Sequence, residues 1–122
     1  VSDSCYAGLL STEPGYLFMG DTPDYPEEYL RHKLAKRSRL LLSSGGDKPV
    51  LDNAGEGHSV FARAFIQALR QNHKIIAGPE LFITVRANVE ERSKKFGFTQ
   101  KPEFKAIKGA GHEVGDFFFV PK

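Results

Sequence analysis

The residues with chemical potential in this 122-residue chain are one cysteine, four histidines and several acids set among glycines. Cys5 is the only thiol, Asp3 stands two residues before it, and Asp47 and Asp52 fall in the Gly-rich stretch from Gly45 to Gly57. A thiolate is the reactive form of cysteine, and the positive end of a helix lowers the thiol's pKa. Cys5 lies where a strand tail, Val1 to Ser4, gives way to the first turns of a short helix, Cys5 to Leu10. Amides opening that helix can also hold an oxyanion. On residue type alone a single cysteine is more often an inert, small core residue. Carboxylates grip a guanidinium bidentately. Asp3, Asp52 and Asp47 beside the thiol would therefore form an anionic pocket for Arg or Lys. The competing use of Asp47 and Asp52 is turn capping.

A thiol nucleophile needs a general base within hydrogen-bond reach. His32 shares an exposed helix face with Arg31 and Lys33, and His73 follows a helix C-terminus. His58 opens a helix behind the loop that carries Asp52, and His112 sits in a glycine-rich turn, where each can order a loop. None of the four fits the role of base easily.

The elements that would position these groups alternate in type. Ser11 to Asp24 has the Pro and Gly content of a loop. A helix to about Ala35 follows, with Asp24 as N-cap, Pro26 in its first turn, Glu27 and Glu28 at its positive end and Lys36 and Arg37 near its negative end. Arg39 to Ser44 is a short apolar run stopped by Gly45-Gly46, which reads as a buried parallel strand. Gly45 to Gly57 is a long loop, and such loops are commonly functional. Two core-facing helices come next. One spans roughly Ser59 to Asn72, with Phe61, Ala64, Phe65, Ala68 and Leu69 on one face; the other spans roughly Pro79 to Lys95, with Leu81, Phe82, Val85 and Val89. Strands are expected over Pro102 to Ile107 and over Phe117 to Val120, the last one buried, with a turn at Gly109 to Gly115 between them. In an open parallel sheet the crevice beyond the strands' carboxyl ends is the natural site, and Cys5 and the Asp47/Asp52 loop follow two such ends.

Composition narrows the partners. Seventeen Lys and Arg against fifteen Asp and Glu give a formal charge of +2, which makes no electrostatic case for nucleic acid or an anionic membrane surface. No apolar run approaches the ~18 residues of a membrane span. A lone cysteine forms no intrachain disulfide, so cytoplasm is the expected compartment. Asp21, Asp24, Glu27 and Glu28 match no calcium loop and read as helix capping. No zinc pattern, phosphate loop or dinucleotide fingerprint occurs, so no cofactor is expected.

The segment Asp3-Ser4-Cys5-Tyr6-Ala7-Gly8-Leu9-Leu10 resembles the nucleophile segment of bacterial caspase-like and metacaspase-type peptidases. Ser38 to Gly46, Pro49 to Asp52 leading to Gly57 to Ala62, and Gly111 to Phe117 match further stretches in the same order, together spanning almost the whole chain. The resemblance implies a three-layer α/β caspase-like fold with a mainly parallel central sheet flanked by helices, of which residues 1–122 supply the C-terminal half as part of a single catalytic domain. It implies a cysteine endopeptidase working through a Cys-His dyad, with Cys5 as nucleophile. Animal caspases have glutamine where Asp3 stands; this departure, toward metacaspases, points to cleavage after Arg or Lys. In such enzymes the histidine precedes the cysteine by about 50 residues. Only four residues precede Cys5 here, so the base is expected from an absent N-terminal segment or a separate subunit, and the chain alone should be inert. The alternative is a caspase-like scaffold that binds a partner without cutting it. The basic cluster from Arg31 to Arg39 is a solvated helix face, or a point of self-processing.

Overall fold

The computed structural model describes Val1, Asp3, residues 25–45 and residues 57–122. Cys5, Asp47 and Asp52 lie outside the described residues, as do the expected helix at residues 5–10, the loop at 11–24 and most of the loop at 45–57.

The chain is a mixed α/β domain whose described elements run α1 (Glu27–Leu34), β1 (Leu40–Ser43), α2 (Val60–Gln71), β2 (Ile76–Ala77), α3 (Gly78–Lys95), β3 (Glu103–Ala106) and β4 (Phe118–Phe119). The core forms where α2 and α3 pack along one another. Their apolar faces repeat at helical spacing. Val60, Phe61, Ala64 and Ala68 of α2 meet Leu81, Phe82, Val85 and Val89 of α3, joined by Leu42 of β1 and Ile76 of β2. Burying a side chain such as Phe61 or Leu81 contributes about 1.5–3 kcal/mol. A buried Gln100 links two elements: its Nε2 donates to the Ser44 carbonyl at 2.9 Å, and its backbone N–H donates to Ser93 Oγ at 3.3 Å.

α3 is bounded by local chemistry at both ends. Pro79 sits in its opening turn, where the missing N–H costs nothing, and Glu80 lies at the positive end while Arg92, Lys94 and Lys95 lie at the negative end. After Phe96 the chain turns through Gly97 at φ 68°, with Gly97 N–H donating to Lys94 O at 3.0 Å and Phe98 N–H to Ser93 O at 3.1 Å. That pair of bonds is a Schellman stop, which needs the left-handed conformation glycine adopts freely.

The described strands form two antiparallel pairs. β1 pairs with β3, Leu42 opposite Phe104, and β2 pairs with β4, Ile76 opposite Phe119. β1 is the buried strand expected from its apolar run, but the pairing it makes is antiparallel. Among the described strands none occupies its other edge.

Two further expectations are corrected here. The N-cap position of α1 is Pro26 rather than Asp24, with no side-chain cap, and Leu34 is its last residue. The strand expected over Phe117–Val120 contracts to Phe118–Phe119, both half-buried, while Phe117 and Val120 are 60% and 68% exposed. Among the described strands its neighbour is β2, and that pairing covers only two positions. β2 itself was not anticipated, because a two-residue strand has no periodicity to read.

Candidate active site

Of the acids expected at the site, Asp3 is the one the described residues contain. It is exposed, and its Oδ2 accepts a short hydrogen bond from Ser59 Oγ, 56 residues away in sequence. Ser59 is the N-cap of α2: its backbone is extended, and its Oγ accepts from the Ala62 N–H at 2.9 Å. The first turn of α2 contains no acidic residue. Asp3 therefore supplies from a distance the negative charge that the positive end of a helix favours, and the Ser59 hydroxyl connects the two as both acceptor and donor.

This contact ties Asp3, two residues before Cys5 in sequence, to Ser59, which follows the stretch carrying Asp47 and Asp52. The residues that precede that stretch are also held. Ser43, Ser44 and Gly45 are all buried, Ser43 Oγ donates to the Gly45 carbonyl at 3.1 Å, and Gln100 holds the Ser44 carbonyl. Residues 43–45 thus follow the carboxyl end of β1 buried and hydrogen-bonded, and Gly57 and His58 lead into Ser59, the residue that Asp3 contacts.

The histidines separate by environment. His32 is exposed on α1 and His73 is exposed just beyond the Asn72 C-cap of α2. His58 is exposed and stands one residue before the N-cap instead of opening the helix. His112 orders a loop: its Nδ1 accepts from the Arg39 backbone N–H at 3.1 Å. Burial holds its imidazole below the ordinary value; the Asp116 charge works against that, Lys33 adds to it, and Glu113 opposes it. Asp116, next along, is buried against the start of α3. Burial raises its carboxyl above the usual range, against the Phe117 N–H, which donates to Oδ1 at 2.7 Å, the Lys33 charge, the Gly78 N–H and His112.

Two features carried no clear sequence signal. Tyr25 Oη donates to Glu80 Oε2 at 2.5 Å and accepts from the Ala77 N–H at 3.2 Å, fastening the approach to α1 onto the start of α3. Its ring stacks on Tyr29 and meets Phe118 edge-on. Burial first, then the Glu80 hydrogen bond, pushes the phenol up to about 12. The second feature is an apolar cleft of about 300 Å³ between the two strand pairs, with Val1, Leu40, Leu42, Leu81, Phe104 and Phe117 among its lining.

Among the described residues no group of three or more His, Cys, Asp or Glu side chains is arranged to hold a metal ion, and no helix is long and apolar enough to cross a membrane. Asp21 and Asp24 lie outside the described residues, and Glu27 pairs with Arg31 at 2.7 Å within α1. No protein-family model matches the sequence, and neither a curated protein nor a solved structure is recognisably similar to it.

Proposed function

We propose that the chain is the nucleophile-bearing part of a caspase-like cysteine endopeptidase that cleaves after Arg or Lys. In this reading the Cys5 thiolate attacks the scissile carbonyl carbon, and a histidine from a preceding segment or a separate subunit takes the thiol proton and returns it to the leaving amine. Water then cleaves the thioester and restores the thiol. Backbone amides at the turn following Cys5 hold the oxyanion. Asp3, with Asp52 and Asp47, grips the substrate's basic side chain.

The observation that carries the reading is the Asp3–Ser59 hydrogen bond. It supports the idea that the nucleophile segment and the acid-bearing loop share one rim, since Asp3 is two residues from Cys5 and Ser59 closes that loop. Exposure of Asp3 suits an acid that must meet a substrate cation. The edge of β1 that no described strand occupies and the position of Val1 in the cleft beside Leu40 and Leu42 favour a further, parallel strand along β1, with Val1 in its tail. Such a strand belongs to the mainly parallel sheet of the proposed fold.

Fluorogenic peptides ending in Arg, Lys or Asp test the reading on the protein together with its His-bearing segment. Cleavage after Arg and Lys that disappears in Cys5→Ala is expected. Activity that survives Cys5→Ala refutes the nucleophile, a preference for Asp refutes the acidic pocket, and no cleavage of any peptide favours the partner-binding scaffold.

A further inference from the structure

Residues 108–115 lie across the segment that joins α1 to β1, and the two are fastened along their length. Glu113 N–H donates to the Arg37 carbonyl at 3.0 Å, Arg39 N–H donates to His112 Nδ1 at 3.1 Å, and Lys33 Nζ donates to the Val114 carbonyl at 3.1 Å. At the loop's end Gly115 lies so close that a Cβ there would stand 2.3 Å from the Lys36 carbonyl oxygen. Of these fastenings only the one on His112 depends on a group that titrates near neutral pH. Its acceptor is an imidazole lone pair, which a proton would occupy.

We propose that this clasp is a pH-sensitive switch: protonation of His112 Nδ1 removes the acceptor for the Arg39 amide and loosens the loop from the segment leading into β1. The inference holds whether or not the chain is a peptidase. The charged groups around the imidazole come from both sides. Lys33 of α1 opposes a further positive charge; the guanidinium of Arg37 in the joining segment lies by the loop at Gly111, its Nη1 3.0 Å from where a Cβ there would stand, and that of Arg39 bonds the Ser38 carbonyl. Glu113 and Asp116 of the loop favour it, Asp116 more strongly. Partial burial outweighs both acids and favours the neutral ring, which keeps the clasp closed until pH falls through the lowered value.

What the switch governs follows from where the clasped strands lead. Arg39 runs directly into Leu40, on one wall of the apolar cleft. The loop runs through Asp116 into Phe117, on another wall, whose carbonyl accepts from the Gly78 N–H at 2.7 Å. The His112 bond is therefore one of the ties between two walls of the cleft, and its loss loosens them beside Leu40.

Amide hydrogen exchange of the 122-residue chain, followed by NMR from about pH 7.5 to about pH 5 and corrected for intrinsic rates, reads the switch alongside the His112 ring titration. Protection of the Arg39 amide should fall about fivefold, in step with His112. The amides of the fully buried Val85 and Val89 should hold. In His112→Gln the side-chain carbonyl offers an acceptor that does not titrate, and the step should vanish. Arg39 protection that stays flat while His112 titrates overturns the proposal. So does a step that persists in His112→Gln, or a joint loss at Arg39, Val85 and Val89, which would report global unfolding.

Discussion

Replacing Ser59 with alanine removes two contacts held by one oxygen: the cap to the Ala62 N–H and the bond to Asp3. Loss of a serine N-cap costs about 1 kcal/mol. The Asp3 bond is charge-assisted but involves an exposed carboxylate, so solvent screening reduces its worth to about 0.5–1 kcal/mol. The sum, about 1.5–2 kcal/mol, is a large share of a small domain's stability and lowers Tm by about 3–5 °C per kcal/mol at this size. Urea unfolding followed by far-ultraviolet circular dichroism measures it, and a double-mutant cycle with Asp3→Ala isolates the shared part. If Asp3 holds the end of α2, Ser59→Ala and Asp3→Ala together cost about 0.5–1 kcal/mol less than the sum of the single effects, and the difference shrinks in ~1 M salt. Strict additivity, with a coupling below about 0.3 kcal/mol, would refute the tether, and with it the observation on which the shared rim rests.

Tyr25→Phe keeps the ring contacts but deletes the hydroxyl that Glu80 and the buried Ala77 N–H share, so a loss of about 1–2 kcal/mol is expected in urea titration. The phenol's folded value, about 12, stands above its ordinary 10.0, so the native state holds the proton more firmly. Tyr25 therefore adds stability below pH 10.0 that is lost as pH rises toward about 12, and alkaline unfolding of Tyr25→Phe should lack that component. Gly115→Ala places a methyl against the Lys36 carbonyl, where backbone must move, and should cost about 1–3 kcal/mol and weaken protection of the Glu113 amide. Asp116→Asn keeps an acceptor for the Phe117 N–H while removing a buried charge. Because burial raises the Asp116 carboxyl, the native state takes up a proton more readily than the unfolded chain does, and ionisation costs stability at neutral pH. Asp116→Asn should therefore unfold at higher urea than the parent at neutral pH, with the gap closing in acid as the native carboxyl protonates; a gap that widens in acid refutes this sign.

The parts legible in the sequence are those written in local periodicity. The apolar positions of α2 and α3 recur at helical spacing and are buried as expected at Phe61, Ala64, Ala68, Leu81, Phe82, Val85 and Val89. The run at Leu41 and Leu42 is buried, as an uninterrupted apolar strand should be. The same logic misled at Phe117 to Val120, since burial of an apolar run depends on how many neighbours cover it, and that number is set by distant segments. At the site, Asp3 stood out by its spacing from Cys5, but its partner did not. The available signal was indirect: a capping serine opens a helix whose first turn contains no acid, leaving a favourable place for a carboxylate from elsewhere.

Three of the long-range polar contacts follow one rule. The Ala77 amide, bonded to Tyr25, precedes α3; the Ser44 carbonyl, bonded to Gln100, follows β1; and the Arg39 amide, bonded to His112, precedes it. Element ends are where backbone groups lack a partner within the element, and leaving them unpaired when buried costs a lost hydrogen bond. Distant side chains satisfy them, so the contacts that complete the backbone also fix where each element begins and ends relative to the others. One of the points held in this way, Ser44, precedes the stretch bearing Asp47 and Asp52. For the proposed pocket the consequence is that one acid, Asp3, is held by the same hydroxyl that caps α2, so the residue that stabilises the start of α2 also fixes an anionic group beside it.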